Sequence, residues 1–94
     1  MKIEIQFVAQ LRDASAVPLM NIEMSDGATV SDALKMAAAE GGADLQAKLL
    51  SSESELQPGI LVFVNDSPVA AKAIRTHALT DGDNILLLPP ISGG

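Results

Sequence analysis

The chain has 94 residues, a formal net charge of −6 and no cysteine. This length corresponds to one domain, and the absence of cysteine excludes disulfides, thiolate metal sites and a cysteine nucleophile. The six basic residues are scattered among twelve acidic ones, which argues against binding to a nucleic-acid backbone. An acidic surface either confers solubility alone or favours partners with basic surfaces.

The N-terminal segment predicts a β-hairpin. Residues 2–8 alternate between polar and apolar side chains, which is typical of a half-buried strand. Its inner face consists of Ile3, Ile5 and Phe7. The small and polar residues 10–17 predict a loop. After Pro18 the alternation resumes, so we expect a second strand that pairs with the first and buries the same face. The inward residues of this second run are Met20, Ile22 and Met24.

A helix is predicted after a turn at residues 25–27. Thr29 is a suitable N-cap, and Asp32 lies three residues on, as in a capping box. Residues at helical spacing form an apolar stripe of Val30, Ala33, Leu34, Ala37 and Ala38. The outward positions are Ser31, Asp32, Lys35 and Glu40. Two glycines at 41–42 are expected to end this helix, and residues 43–50 predict a second, shorter one.

The next segment predicts two further strands. Residues 51–59 are polar and end in Pro-Gly, which indicates a flexible loop. The apolar run 60–64 is typical of an inner strand. Asn-Asp at 65–66 favours a tight turn into a short edge strand over residues 67–69, where a proline is tolerated. The last part, residues 70–78, is small, polar and basic, and its charged side chains are expected to be solvated. It includes Lys72, Arg75 and His77, an isolated imidazole without a catalytic or metal-ligand partner.

The C-terminal segment predicts a turn, a strand and a stiff exit. Asp81 and Asp83 flank Gly82 and are expected to cap a turn rather than bind a cation. Residues 85–88 are all apolar, which predicts a strand buried on both faces. Pro89 and Pro90 cannot donate to a sheet, so the strand stops there. We therefore expect residues 89–94 to form a protruding, flexible tail on a single domain that spans residues 1–94.

The order of these elements predicts an α+β fold. Two hairpins with one helix between them, followed by a last strand, match a β-grasp, or ubiquitin-like, arrangement. We expect a mixed sheet of four to five strands with one main helix across it, in which the first and last strands are parallel neighbours.

The tail ends in two glycines, so the α-carboxylate of Gly94 is the only chemical group at its tip. This carboxylate is ionised at neutral pH and is a poor electrophile until its oxygen is made a leaving group. Any reaction there requires a partner that activates it as an acyl phosphate or acyl adenylate. Because the chain lacks cysteine, covalently carried sulfur would have to sit on this terminal carbonyl carbon. The competing interpretation is a frayed, inert terminus.

Two stretches resemble the MoaD/ThiS family of ubiquitin-like sulfur carriers. Residues 79–83 (LTDGD), the apolar strand and residues 89–94 (PPISGG) are similar to the closing signature of that family. The P-P-x-x-G-G form resembles most the MoaD branch, the small subunit of molybdopterin synthase. Residues 7–12 (FVAQLR) are similar to the F-A-x-x-R stretch of the same branch. Between these two ends the similarity is one of pattern.

The resemblance implies a carrier rather than an enzyme. A ubiquitin-activating-type adenylyltransferase would use ATP to adenylate Gly94, and a persulfide sulfur donor would convert the adenylate to a thiocarboxylate. The tail would then enter the large subunit of molybdopterin synthase and give its sulfur to cyclic pyranopterin monophosphate, in molybdenum cofactor biosynthesis. No intrinsic cofactor and no metal site are expected.

The resemblance also implies a set of partner-binding positions: Gly93, Ser92, Ile91, Pro90, Pro89, Leu88 and Phe7. Gly93 would give clearance, and Ser92 and Ile91 would be read by the partner's channel. The prolines would set the exit direction and reduce the entropy lost on insertion. For Leu88 and Phe7, packing in the core is the competing interpretation.

Several alternatives stay open. The resemblance extends to carriers for cysteine or thiamine synthesis or tRNA thiolation, and to modifiers conjugated to lysines, although the two prolines argue against the thiamine branch. A non-reactive β-grasp interaction module is an alternative of another class. The sequence disfavours a free-standing enzyme, because it has one histidine and no glycine-rich phosphate loop. Without a signal-peptide pattern or a long apolar run, we expect a cytoplasmic protein.

Overall fold

The computed structural model describes residues 1–15, 17–52 and 55–90, and within them five strands form one sheet in the order β2-β1-β5-β3-β4. The strands are β1 (Lys2–Phe7), β2 (Leu19–Glu23), β3 (Leu61–Val64), β4 (Ser67–Val69) and β5 (Asn84–Leu88). The helices are α1 (Ala9–Ala14), α2 (Val30–Gly41) and α3 (Ala43–Leu49), and a 3-10 turn covers Ala71–Ala73.

The sheet confirms the β-grasp prediction. β1 is parallel to β5 and antiparallel to β2, and β3 is antiparallel to both β5 and β4. Asn65 and Asp66 make the β3–β4 turn with positive φ angles of 50° and 71°, as a tight hairpin with right-handed strand twist requires. Alternation along the strands directs one set of apolar residues toward the helices, where they are buried. The members of this set are Ile3, Ile5, Phe7, Met20, Ile22, Val62, Val64, Ile85 and Leu87.

The main helix, α2, forms as its sequence predicts. The Thr29 hydroxyl accepts a hydrogen bond from the Asp32 amide, and the Asp32 carboxylate accepts one from the Thr29 amide, so the capping box is complete. All five residues of the apolar stripe are buried. Gly42 ends the helix at φ 99°, whereas Gly41 lies against Leu45 with no space for a side chain.

The loop predicted over residues 10–17 is wrong in its first half, because the chain forms α1 there. Its residues include Ala, Gln, Leu and Arg, which have high helix propensities. Leu11 is fully buried and fixes this short helix against the sheet and α3. A single apolar residue gives no periodicity, which is why the pattern failed to reveal the helix.

Two predictions of burial are also wrong. Ser31 was expected to face outward but is only 9% exposed. The segment around Ile74 packs against it, and the Ser31 amide donates to the carbonyl of Ile74 (2.9 Å). β5 was expected to be buried on both faces. Only Ile85 and Leu87 are buried, and Leu86 and Leu88 are half-buried, because the helices pack on one side of the sheet.

The structure also bears on membrane insertion. Across the described residues, no helix combines the length and the apolar character that crossing a bilayer requires.

Candidate functional site

The candidate site lies where the central strand β5 ends. β5 is hydrogen-bonded on both sides, to β1 and to β3. Leu88, its last residue, lies opposite Leu61 of β3, and Phe7 of β1 lies opposite Leu87. A strand paired on both edges cannot change register without breaking two ladders. The chain therefore leaves the sheet at a fixed point, and Pro89 and Pro90 follow there directly.

The start of β5 is held by the buried carboxylate of Asp83, which is 8% exposed. It accepts hydrogen bonds from the Thr80 amide (2.8 Å), the Thr80 hydroxyl (3.0 Å) and the Asn65 amide group (2.8 Å). Burial raises the pKa of Asp83, but these hydrogen bonds and the nearby His77 outweigh it and hold the pKa below its ordinary value. The Asn65 side chain also accepts from the Asn84 amide (2.9 Å). Asp83 thus joins the turn before β5 to the β3–β4 turn.

The exit of the chain is supported by a turn at Pro58-Gly59. Pro90 lies so close to Gly59 that a Cβ atom at position 59 would be 3.0 Å from the Cβ of Pro90. Gly59 has φ +85°, a conformation that favours glycine. The backbone of Gly59 can therefore approach Pro90 this closely only because glycine has no side chain.

Gln57 fastens this turn to α3. Its amide donates to the Leu49 carbonyl (2.9 Å), and its side-chain nitrogen donates to the carbonyls of Ala47 (3.3 Å) and Leu50 (3.1 Å). These carbonyls belong to the C-terminal end of α3, which has no intrahelical partners for its last carbonyls. Gln57 thus donates hydrogen bonds to the last carbonyls of α3 and positions the turn against which Pro90 packs.

A cavity of about 400 Å³ lies beside the exit. Pro89 and Pro90 line one part of it, and Gln10 of α1, Lys48 of α3 and Pro58 line others. This cavity is called the exit cavity below. In this cavity the positively charged side chain of Lys48 lies near Pro89 and Pro90.

The open face of the sheet presents an apolar surface beside the exit, called the outer patch below. It consists of Leu61, Phe63, Leu86 and Leu88. Leu61 lies opposite Leu88, and Phe63 opposite Leu86, so all four side chains are on the face away from the helices. Leu61 is 45% exposed, and the other three are half-buried. Contiguous exposed apolar residues of this kind mark interaction sites.

The predicted site residues divide into three groups. Leu88, Pro89 and Pro90 lie together at the exit. Ile91, Ser92, Gly93 and Gly94, and most of the predicted tail, lie outside the described residues. Phe7 is only 1% exposed. It points to the helix side of β1 and packs in the core, which favours the competing interpretation for this residue.

Sequence reasoning missed Gln57, Gly59 and the apolar residues of β3 as parts of this site. The Pro-Gly pair at 58–59 predicted a turn, but it did not indicate that Pro90 packs against that turn. Leu61 and Phe63 belong to a continuous apolar run, which predicts burial on both faces. Only the one-sided placement of the helices shows that they are accessible.

The described residues contain no group of three or more His, Cys, Asp or Glu side chains that could hold a metal ion. His77 is partly buried, and its carbonyl accepts from the Val30 amide (3.0 Å). Arg75 pairs with Glu55 (2.8 Å), both largely exposed.

Comparison with known proteins gives consistent results. The model of the ThiS family matches residues 5–94. Small archaeal modifier protein 3 of Haloferax volcanii is 32% identical over 94 residues, which make up 100% of each chain. The crystal structure of SAMP1 from Haloferax volcanii is similar with a TM-score of 0.84 and 28% identity, over 100% of each chain.

A more distant structure shares the fold. The putative molybdopterin converting factor, subunit 1, from Pyrococcus furiosus is similar with a TM-score of 0.74 and 21% identity. The likeness covers 97% of this chain and 99% of that one.

Proposed function

Because the chain belongs to the ThiS/MoaD family of ubiquitin-like sulfur carriers, we propose that the carbonyl carbon of Gly94 carries sulfur as a thiocarboxylate. A partner of the ubiquitin-activating type adenylates the carboxylate with ATP, and a persulfide donor displaces AMP to form an acyl disulfide. A thiol then cleaves the S–S bond reductively and releases the thiocarboxylate. The observation that carries this proposal is the exit of the central strand. β5 is hydrogen-bonded on both edges and passes into Pro89-Pro90. The folded domain therefore holds the start of the tail at a fixed position.

The composition supports a terminal acyl carrier. The chain contains no cysteine, so the terminal carbon is the position available for covalently bound sulfur. A carboxylate oxygen is a poor leaving group, which explains the need for adenylation. The chain itself contributes the acyl group, its presentation and the surface that the partner recognises, and the partners contribute the catalysis.

The outer patch supports docking of such a partner. Leu61 and Leu88 lie side by side immediately before the prolines. A partner that covers them would bury apolar surface next to the point where the tail enters its active site. Buried central residues of this type contribute most of the energy of an interface. The net charge of −6 favours a partner surface with basic residues around its apolar centre.

For the destination of the sulfur, we propose molybdopterin synthesis with this chain as the small subunit of the synthase. The P-P-I-S-G-G ending supports it, as does the fold shared with the Pyrococcus furiosus protein. A second candidate is a protein modifier attached to lysines. The name of the relative from Haloferax volcanii, a small archaeal modifier that matches this chain over its whole length, favours this second function.

The test is the intact mass of the protein after incubation with an activating enzyme, ATP, a persulfide donor and a thiol reductant. We expect one oxygen-to-sulfur replacement, confined to the C-terminal peptide and absent when Gly94 is deleted or followed by an added residue. Addition of the synthase large subunit and the pterin precursor should then return the mass to that of the carboxylate. An unmodified tail in the presence of an activator shown to adenylate a related carrier would contradict the proposal. A lysine-linked adduct would instead identify the modifier function.

A further inference from the structure

β2 forms the more open of the two edges of the sheet. Among the described residues, the outer strands of the sheet are β2 and β4. β4 has three residues and includes Pro68, and a short edge strand with a proline resists pairing with another chain. β2 has five residues and contains neither proline nor lysine. The sheet can therefore accept a further strand at β2.

The hydrogen bonds of β2 show which of its backbone groups are free. Next to one end of the strand, Met24 donates to the Met1 carbonyl (2.8 Å) and accepts from the Met1 amine (2.7 Å). Next to the other end, the Pro18 carbonyl accepts from the Phe7 amide (3.1 Å). In an antiparallel pair, residues bonded to the neighbouring strand alternate with residues whose amide and carbonyl point the opposite way. Positions 18, 20, 22 and 24 thus face β1. No strand or turn of the described chain bonds to the outward amides and carbonyls, which belong to Leu19, Asn21 and Glu23.

A groove of about 520 Å³ lies beside this edge, between the end of β2 and α2, and is called the edge groove below. Its apolar part is made by Met24 and Met36, and Met36 is 37% exposed. Glu23 is 3.8 Å from the Met1 amine, but its side chain is still 70% exposed. The charged side chains among the described residues that line the groove are all acidic: Glu23, Asp26 and Asp32. The edge groove is therefore suited to a cation with an apolar stem.

We propose that the β2 edge and the edge groove bind an extended, basic segment of a partner protein, which adds to the sheet beside β2. The backbone of this segment pairs with the outward amides and carbonyls of β2, and such pairing supplies the affinity in strand addition. Alternate side chains of the added strand lie on the helix side of the sheet. There a lysine or arginine packs its methylene stem on Met24 and Met36 and brings its charge to the three carboxylates. The side chains between them lie on the open side, beside Leu19, which is 44% exposed.

Charge decides between this occupant and a second copy of the chain. A second copy would bring its own carboxylates and a net charge of −6 to an edge that is already acidic, and like charges opposite each other in a strand pair are destabilising. A basic segment has the complementary sign. The site is separate from the outer patch, which lies on β3 and β5. Occupation of the β2 edge therefore leaves the outer patch free for another partner.

The experiment measures amide hydrogen exchange and chemical shifts of the full chain by NMR, with and without a capped peptide of about eight alternating valines and lysines. A peptide of alternating valine and glutamate is the control. We expect the lysine peptide at saturation to slow the exchange of the outward amides, those of Leu19, Asn21 and Glu23, by about tenfold or more. The amides of Met20 and Ile22 already face β1, so their exchange should change less. The glutamate peptide should alter neither set.

A backbone variant tests the pairing itself. Asn21→Pro removes the central outward amide but none of the hydrogen bonds to β1, and it should raise the dissociation constant of the lysine peptide by about tenfold or more. Slow exchange of the Ile22 amide in this variant shows that β2 is still paired with β1.

A charge variant tests the edge groove. Glu23→Gln combined with Asp26→Asn should raise the dissociation constant of the lysine peptide by about threefold or more. The matched control is Glu40→Gln combined with Asp44→Asn, which removes the same charge from residues that do not line the groove. It should bind the peptide like the unaltered chain.

Unchanged exchange of the outward amides, or shifts confined to the outer patch, would overturn the proposal. Equal binding by a folded Asn21→Pro variant, or equal losses in the two charge variants, would also overturn it. Protection of the Asn21 amide that appears without peptide and rises with protein concentration would assign the edge to a second copy and contradict the proposal. If Asn21→Pro does not keep β2 paired, the comparison of the two charge variants decides.

Discussion

Gly59 and Pro90 are in contact so close that a Cβ atom on Gly59 would lie 3.0 Å from the Cβ of Pro90. They are 31 positions apart in the sequence, yet the fold brings them together where the chain leaves the sheet. This contact connects the polar segment before β3 with the segment that carries the proposed reactive terminus.

The first prediction concerns Gly59→Ala. The substitution forces alanine into φ +85° and pushes Pro90 away, so we expect a loss of stability of about 1–3 kcal/mol and slower adenylation of the terminus. Gly27→Ala is the matched control, because Gly27 has φ +89° with nothing near its added methyl group. Denaturant unfolding should show a loss for both variants, and pyrophosphate release by the activating enzyme should slow only for Gly59→Ala. Equal activity in the two variants would show that the contact does not position the tail.

The second prediction concerns the outer patch. Leu61→Glu places a charge in the centre of the proposed interface, and we expect the dissociation constant for the activating partner to rise by about tenfold or more, which is about 1.4 kcal/mol. Met36→Glu is the control, since Met36 is 37% exposed on α2, on the helix side of the sheet. Both variants should keep their unfolding free energy within about 0.5 kcal/mol. Calorimetric titration measures the affinities, and an equal effect of both substitutions would refute a specific patch.

The third prediction concerns the pH dependence of stability. The pKa of Asp83 is lowered in the folded protein. Its carboxylate therefore stabilises the fold fully at pH values above its unfolded pKa of about 3.9. This stabilisation is lost as the pH falls through the pKa of Asp83 in the folded protein. Asp83→Asn should cost about 1–3 kcal/mol at neutral pH, because charge-assisted hydrogen bonds are lost.

The difference between the two proteins should shrink as the pH is lowered below about 4. Urea unfolding from neutral to strongly acidic pH measures it. Asp26→Asn, in the exposed turn before α2, is the control. A constant difference across this range would assign the loss to packing rather than to ionisation.

The fourth prediction concerns strain at the start of α1. Ala9 has φ +52°, a left-handed conformation that costs a non-glycine residue roughly 1–2 kcal/mol. Ala9→Gly should therefore stabilise the protein by up to about 1 kcal/mol. Ala39→Gly, on the exposed side of α2, should destabilise it by a similar amount, because glycine is a poor helix former. Thermal unfolding of both variants tests the sign, and destabilisation by Ala9→Gly would contradict it.

Much of the fold followed from local patterns. The alternation in β1 and β2, the capping box at Thr29 and the Asn65-Asp66 turn each act within a few residues, so neighbouring positions contain the information needed. The parallel pairing of β1 with β5 followed from the order of the elements. The helix α1 did not, because its one apolar anchor, Leu11, depends on partners in β5 and α3 that are distant in the sequence.

The sequence by itself determined the local elements, the family resemblance and the chemistry of the terminus, because composition and short-range periodicity depend on residues close together in the chain. Only the tertiary structure decided which apolar residues are available to partners. Phe7 and Leu88 have similar hydrophobicity and lie at the same end of the sheet, but the helices cover one face and leave the other open. The contacts of Pro90 with Gly59, and the placement of Lys48 beside the exit, likewise depend on how distant segments pack.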